Sequence, residues 1–399
     1  MPTLTPRHWF ILGRESLIAA AEIDAVLSVK NYDYSLAILK TDVKFDPKNL
    51  IGRLGGTIKI AEEIADNADV GEMKEKIILE LRKVSGKINF GLSFYNTEIT
   101  LKEIKDLGLE IKKRLKNEGL SVRYVENKET ALSSVAVEMN GLTARGREFL
   151  IEKKDDLYSI AKTDAVQPFE QFSARDFGRP GRDDLSGMLP PKLAMILINL
   201  SQAQLNSTLL DPFCGSGTIL SEALLLNYKN LIGSDFSEKA VADTKLNIDW
   251  LASKFNRELP ELKIFKSEIA ELAGKLPSAS VDAVVTEPYL GKPLRGQETK
   301  QDLLVQAREL KELYLQAFQQ FHRVLKTKGK VVFIIPRFSA KGGSASGGKG
   351  TSEWITIDCK NEIEKIGFKA LPFFENQLRL VYARPNQRVA REIWRFVKI

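Results

Sequence analysis

Histidine and cysteine are scarce, with two of each in 399 residues. The histidines, His8 and His322, lie far apart in the chain, which argues against a histidine-based triad or a histidine metal centre. The cysteines, Cys214 and Cys359, cannot build a disulfide framework and lack zinc-ligand spacing; a reducing, cytoplasmic setting is expected. No apolar run is long enough to span a bilayer. The opening Met1-Pro2-Thr3-Leu4-Thr5-Pro6-Arg7-His8 lacks a basic-then-apolar leader pattern, so no membrane association is expected. Any chemistry must rest on carboxylates, backbone carbonyls and a reactive cofactor.

Hydrophobic content of 43% and charged content of 28% fit a folded globular chain of two or three domains. The net charge of +7 suits a polyanionic partner, though weakly, since many basic proteins bind no nucleic acid.

The most informative run is Asp211-Pro212-Phe213-Cys214-Gly215-Ser216-Gly217-Thr218. An apolar strand ending Thr208-Leu209-Leu210 precedes it, and a helix beginning Ile219-Leu220 follows. Strand, glycine turn and helix are the parts of a nucleotide-type binding turn. The glycines let backbone approach a ligand, because no Cβ intervenes. An acid that could hold ribose hydroxyls should end the next strand, and Asp235 does so in Leu231-Ile232-Gly233-Ser234-Asp235. The loop is neither G-x-G-x-x-G nor a triphosphate-binding loop, as no Lys-Ser/Thr follows the glycines. Cys214 reads as a small packing residue with no histidine to activate it.

A second site lies at Val284-Val285-Thr286-Glu287-Pro288-Tyr289-Leu290, another strand end. A carboxylate and a proline-flanked carbonyl there can accept hydrogen bonds from an amine and make its nitrogen more nucleophilic. An aromatic ring can stack on a flipped base. Glu287, Pro288 and Tyr289 are the catalytic candidates.

The N-terminal half mixes strands and helices in an α+β pattern. Strands are expected at 9–13, 34–39, 121–125, 135–139 and 148–152, a turn into a further strand over 54–61, and helices at 15–27 and 101–119. Lys112, Lys113 and Lys116 on the second helix, with Arg123, Arg145 and Arg147, suggest a phosphate-binding surface; a merely solvated face is the competing reading. A Gly/Pro/Arg-rich stretch over 175–184 reads as a linker. Strands and helices then alternate, with strands expected near 208, 231, 263, 283, 331, 378 and 392, the last two antiparallel. The glycine-rich stretch 339–352 reads as a flexible loop.

The glycine loop resembles the first motif of S-adenosylmethionine-dependent methyltransferases acting on exocyclic amines. With Phe10-Ile11-Leu12-Gly13-Arg14 and Leu54-Gly55-Gly56-Thr57-Ile58-Lys59-Ile60-Ala61-Glu62, the whole chain resembles the THUMP-containing tRNA guanosine-N2 methyltransferases that modify guanosine 10. The resemblance implies an α/β chain whose C-terminal Rossmann-like class I methyltransferase domain has an antiparallel last strand. It implies a ferredoxin-like domain over 1–65, a THUMP RNA-binding domain over 66–165, a linker over 166–186 and the methyltransferase domain over 187–399. It also implies that Asp211, Phe213, Cys214, Gly215, Gly217, Thr218, Asp235 and Glu268 bind S-adenosylmethionine, with Glu268 at the adenine amine. The THUMP domain would grip a tRNA end, and some relatives work with a small activating partner subunit. Here Glu287 stands where the family has Asp or Asn, Tyr289 stands at its second proline and Leu290 at its aromatic. Ribosomal RNA guanine, adenine N6 in DNA and non-catalytic RNA binding stay open as alternatives.

Overall fold

The computed structural model describes residues 6–181, 188–339, 354–384 and 387–399. The chain divides into two compact units, one holding most of residues 1–171 and the other most of 172–399.

The first unit comprises β1 (His8–Leu12), α1 (Ser16–Leu27), β2 (Tyr32–Tyr34), β3 (Ile38–Thr41), α2 (Pro47–Ile51), β4 (Thr57–Ala68), α3 (Val70–Arg82), β5 (Ile88–Tyr95), α4 (Leu101–Asn117), β6 (Val122–Tyr124), α5 (Ser134–Met139), β7 (Arg147–Lys154) and β8 (Leu157–Val166). All eight strands share one sheet in the order β2-β3-β1-β4-β8-β7-β5-β6. β4 runs through the position between 65 and 66 where the resemblance divides two domains. α4 forms where the apolar period predicts a helix. Thr100 caps it, with Glu103 reaching back to close the capping box. Its apolar stripe, Ile104, Ile111 and Leu115, is buried with Ile77, Leu81, Phe90 and Phe149. Gly108 lets α4 sit against the Tyr124 ring, which a Cβ there would meet at 2.4 Å.

Two local expectations fail here. Residues 135–139 form helix α5 rather than a strand. The alternating valines mimic a strand period, but the Ser133 hydroxyl accepts the Ala136 N–H at 3.2 Å and starts a helical turn. The strand expected over 34–39 is two strands joined by a turn. Ser35 N–H donates to Ile38 O at 2.8 Å, and the Ser35 hydroxyl accepts the Ile38 N–H at 3.1 Å.

The chain passes to the second unit through α6 (Phe169–Phe177), so the early part of the stretch expected as linker is helical. Its apolar residues recur at helical spacing, and no glycine or proline interrupts it before Gly178. Residues 182–186 of that linker, with Gly187 after it, lie outside the described residues.

The second unit comprises α7 (Pro191–Ser201), β9 (Thr208–Asp211), α8 (Thr218–Leu225), β10 (Asn230–Asp235), α9 (Glu238–Lys254), β11 (Glu261–Lys266), α10 (Leu272–Lys275), β12 (Val281–Thr286), α11 (Lys300–Val324), β13 (Leu325–Ser339), β14 (Trp354–Thr356), α12 (Lys360–Ile366), β15 (Phe368–Ala370), β16 (Arg379–Tyr382) and β17 (Val389–Lys398). The sheet runs β11-β10-β9-β12-β13-β17-β15, with β14 on β13 and β16 on β17. β11 through β13 are parallel and β17 enters antiparallel to β13. This is the Rossmann-like class I methyltransferase fold with its reversed late strand. The short strands β14 and β15 are additions to the seven expected from sequence. The glycine-rich 339–352 falls outside the described residues apart from Ser339, which ends β13. α11 seats Leu310, Tyr314, Phe318 and Phe321 in one core with Val331, Phe333 and Phe396. Strand order reverses between β9 and β12, the place where such sheets open a crevice at their carboxyl ends.

Candidate active site

Asp211 ends β9, Asp235 ends β10 and Glu287 follows β12, so the sheet brings three acids to one edge. The loop after β9 is held from below by α9. The Thr244 hydroxyl donates to Gly215 O at 2.7 Å, and Asn247 Nδ2 donates to Ser216 O at 2.8 Å. Gly215 and Gly217 have φ of +53° and +81°. A Cβ on Gly217 would come within 2.7 Å of Thr244, whereas one on Gly215 would meet nothing within 4 Å. The loop is therefore packed on one side and open on the other, beside Asp235.

Asp235 accepts the Gly215 N–H at 3.0 Å and the Ser237 N–H at 2.9 Å. Burial raises its pKa, against the pull of these bonds. Asp211 faces inward. It accepts the Thr286 hydroxyl at 2.6 Å and the Phe213 N–H at 3.3 Å, and so joins β9 to β12. Burial pushes its pKa up to about 7; the two hydrogen bonds oppose this, and the charges of Asp235 and Glu287 add to it. Burial and the Asp211 charge also drive the Cys214 thiol well above its ordinary value, which leaves it unreactive.

Phe213, Gly215, Gly217 and Asp235 are thus gathered around one loop. Thr218 is buried and its hydroxyl accepts from Arg179. Glu268 is exposed beyond β11, at the same sheet edge as Asp235. Phe236, immediately after Asp235, is 63% exposed. Sequence reasoning passed over it, although an aromatic directly after a strand-end acid was the available signal. An exposed ring beside a carboxylate and an open glycine backbone fits a nucleoside: the carboxylate for hydroxyls, the ring for a flat base.

The segment after β12 is clamped. Pro288 is buried, while Tyr289 is 53% exposed and its carbonyl accepts the Tyr314 hydroxyl at 2.8 Å. Gly291, at φ +96°, lies against the Gln306 side chain, whose Oε1 accepts the Lys292 N–H at 3.0 Å. Arg391 Nε donates to Glu287 Oε1 at 2.5 Å. Neither Arg391 nor Tyr314 was singled out from the sequence.

The basic residues of the first unit separate into two kinds. Lys113, Lys116, Arg123 and Arg145 are exposed and Lys112 is half-buried, with no ion-pair partner among the described residues. Arg147 Nη1 donates to Ala144 O at 3.2 Å and Gly146 O at 2.7 Å within its own turn. Their neighbour Arg114 pairs with Glu75 on α3, and Arg82 pairs with Glu118 at 2.7 Å.

Among the described residues, no group of three His, Cys, Asp or Glu is placed to hold a metal ion, and no helix is long and apolar enough to cross a membrane.

Residues 179–340 match the family described as UPF0020: RMKL-like, methyltransferase domain. Over 185 residues the chain is 27% identical to the tRNA (guanine(10)-N2)-dimethyltransferase of Methanothermobacter thermautotrophicus, covering 46% of this chain and 49% of that protein. It is 32% identical over 105 residues to the protein of the same name from Methanocaldococcus jannaschii, covering 26% of this chain and 29% of that one. The chain thus spans about half the length of the first relative, and less of the second. The crystal structure of TrmN from Thermus thermophilus shares the fold at a TM-score of 0.55 and 16% identity, covering 99% of this chain and 100% of that one.

Proposed function

We propose that this chain, whose residues 179–340 match the UPF0020 RMKL-like methyltransferase domain and which is similar to tRNA (guanine(10)-N2)-dimethyltransferases, methylates the exocyclic N2 amine of a guanosine in tRNA, guanosine 10 being the expected target. The observation that carries this reading is the pairing at one sheet edge of a nucleoside-type cradle, Gly215 with Asp235, and a carboxylate with an exposed tyrosine, Glu287 and Tyr289.

S-adenosylmethionine, when bound, supplies an electrophilic methyl group on a positively charged sulfur that departs as a neutral thioether. Asp235 would hold its ribose hydroxyls, Phe236 and Phe213 would flank its adenine, and Glu268 would lie at the adenine amine. Asp211, Cys214, Gly217 and Thr218 shape the loop from beneath. Tyr289 would cover the flipped base. The guanine amine is a weak nucleophile because its lone pair is delocalised into the ring. Glu287 and the carbonyl of Pro288 would accept its N–H groups, and Glu287 would pass the displaced proton to solvent. Residues 1–65 are read as a ferredoxin-like domain, 66–165 as a THUMP domain, 166–186 as the linker and 187–399 as the methyltransferase domain. Lys112, Lys113, Lys116, Arg123, Arg145 and Arg147 would touch phosphates. The cytoplasm is the expected location.

Purified protein incubated with methyl-labelled S-adenosylmethionine and unmodified bulk tRNA should yield labelled N2-methylguanosine or N2,N2-dimethylguanosine after digestion. Label in N6-methyladenosine would overturn the reading. Absence of label, with cofactor and tRNA binding retained by calorimetry and with partner fractions added, would favour a non-catalytic RNA-binding role.

A further inference from the structure

Arg391 stands on β17, 104 residues after Glu287, and the two side chains are each 13% exposed. The pair is therefore largely but not fully enclosed. An arginine carries five N–H donors in a rigid plane. Among the described residues only its Nε is engaged, leaving both Nη groups without a hydrogen-bond partner there. Glu287 Oε2 likewise accepts no hydrogen bond among the described residues. Oε1 is pinned, Oε2 is open and the Nη donors lie alongside. The result is a set of acceptors joined to a set of donors, two residues before Tyr289, which is 53% exposed.

We infer that Glu287 and Arg391 together select guanine, by matching the hydrogen-bonding edge that carries the amine to be methylated. The inference rests on the tRNA guanosine reading above. Along that edge guanine presents the O6 acceptor, the N1–H donor and the N2 amine. The Glu287 carboxylate complements the two adjacent donors, and an Arg391 Nη group complements O6. Adenine reverses the order, setting its N6 amine against Arg391 and the N1 lone pair against the carboxylate. Uracil and cytosine each offer a single donor group along this edge, never two side by side. The arginine has a second role. Glu287 is one methylene longer than aspartate and has more rotamers to lose, and the Nε bond holds it in one of them.

The test uses the whole chain, methyl-labelled S-adenosylmethionine and tRNA whose mapped target guanosine is replaced by 2-aminopurine. That base keeps the C2 amine but lacks both O6 and N1–H. The unaltered protein should favour guanosine by about 100-fold or more in kcat/KM, because a site built to hydrogen-bond a group rejects an analogue that lacks it. Arg391→Met should cut that preference to below about tenfold, and Arg391→Lys should restore part of it. Cofactor and tRNA dissociation constants should stay within about twofold. Arg391→Met added to Glu287→Gln should cost less than it does alone, since the two act as one unit.

Equal slowing on both bases, with the preference intact, would mean that Arg391 only supports the fold; it would overturn this inference while leaving the guanosine activity standing. Label on adenosine from the unaltered protein would overturn the functional reading and this inference with it.

Discussion

Two carboxylates in this molecule are each held by one cation, and their surroundings differ. In the first unit, Lys59 and Glu148 are almost fully enclosed, at 1% and 0% side-chain exposure. Every polar atom there is used. Glu148 also accepts from the hydroxyls of Ser93 at 2.6 Å and Thr163 at 2.7 Å, and Lys59 also donates to Leu132 O at 2.6 Å. In the second unit, Arg391 and Glu287 share one bond, and among the described residues their other polar atoms have no hydrogen-bond partner. A closed pair has nothing left to offer a ligand and serves the fold, tying β4, β5, β7 and β8 together. An open pair does little for the fold and is available for recognition.

Breaking the closed pair should have the largest effect on stability. Lys59→Met leaves Glu148 charged and uncompensated in the interior, which should cost about 3–5 kcal/mol in urea unfolding. Arg391→Met should cost under about 2 kcal/mol in the same assay, between the surface and buried limits. Equal losses would erase the distinction between the pairs.

Glu287→Gln sharpens the comparison from the catalytic side. It should lower kcat by about 100-fold, the usual contribution of a positioned proton acceptor, with little change in unfolding midpoint. Asp235→Ala should weaken S-adenosylmethionine binding by about tenfold or more, as expected for a charge-assisted hydrogen bond, and leave tRNA affinity unchanged in a filter-binding assay. Equal loss of both in a folded protein would contradict the assignment.

Asp211 gives a third kind of carboxylate, buried without a cation. Its folded pKa of about 7 lies above the ordinary carboxyl value, so ionisation is disfavoured in the folded state. Its contribution to stability is fully present below about pH 4 and is lost as pH rises through about 7. Asp211→Asn, which keeps the Oδ1 acceptor for Thr286, should flatten the decline in melting temperature between about pH 4 and pH 7, the interval spanned by these two values. An unchanged slope would place the titration elsewhere. The smallest effect should come from the exposed lysines. Reversing Lys112, Lys113 and Lys116 should lower the salt slope of tRNA binding by about one unit for each phosphate that is no longer neutralised. No change would mean a solvated helix face.

What could be read from the sequence was local. The 211–218 loop, Asp235 and the strand end at Glu287 announce themselves because their parts lie within a few residues of one another, at spacings that strand and turn geometry fix. The helical period of α4 was equally visible. Short elements were not: α5 carries a two-residue period in a helix, and only Ser133 reveals it. The clamps on the site were also hidden. Thr286 meets Asp211 across 75 residues, Tyr314 meets Tyr289 across 25 and Arg391 meets Glu287 across 104. No pattern in the chain marks these partners, because sheet order and the reversed entry of β17 bring them together.

That reversed entry also sets an order of events during translation. A nascent chain that has emerged through β13 already possesses the glycine loop, Asp235, Tyr314 and Glu287. It lacks Arg391 until β17 is synthesised and slides in beside β13. A proteolytic nick between β16 and β17 that released the last strand would return the protein to the same condition. On the proposed reading, the residues of the cofactor cradle are therefore all synthesised before Arg391, on which the choice among bases would rest.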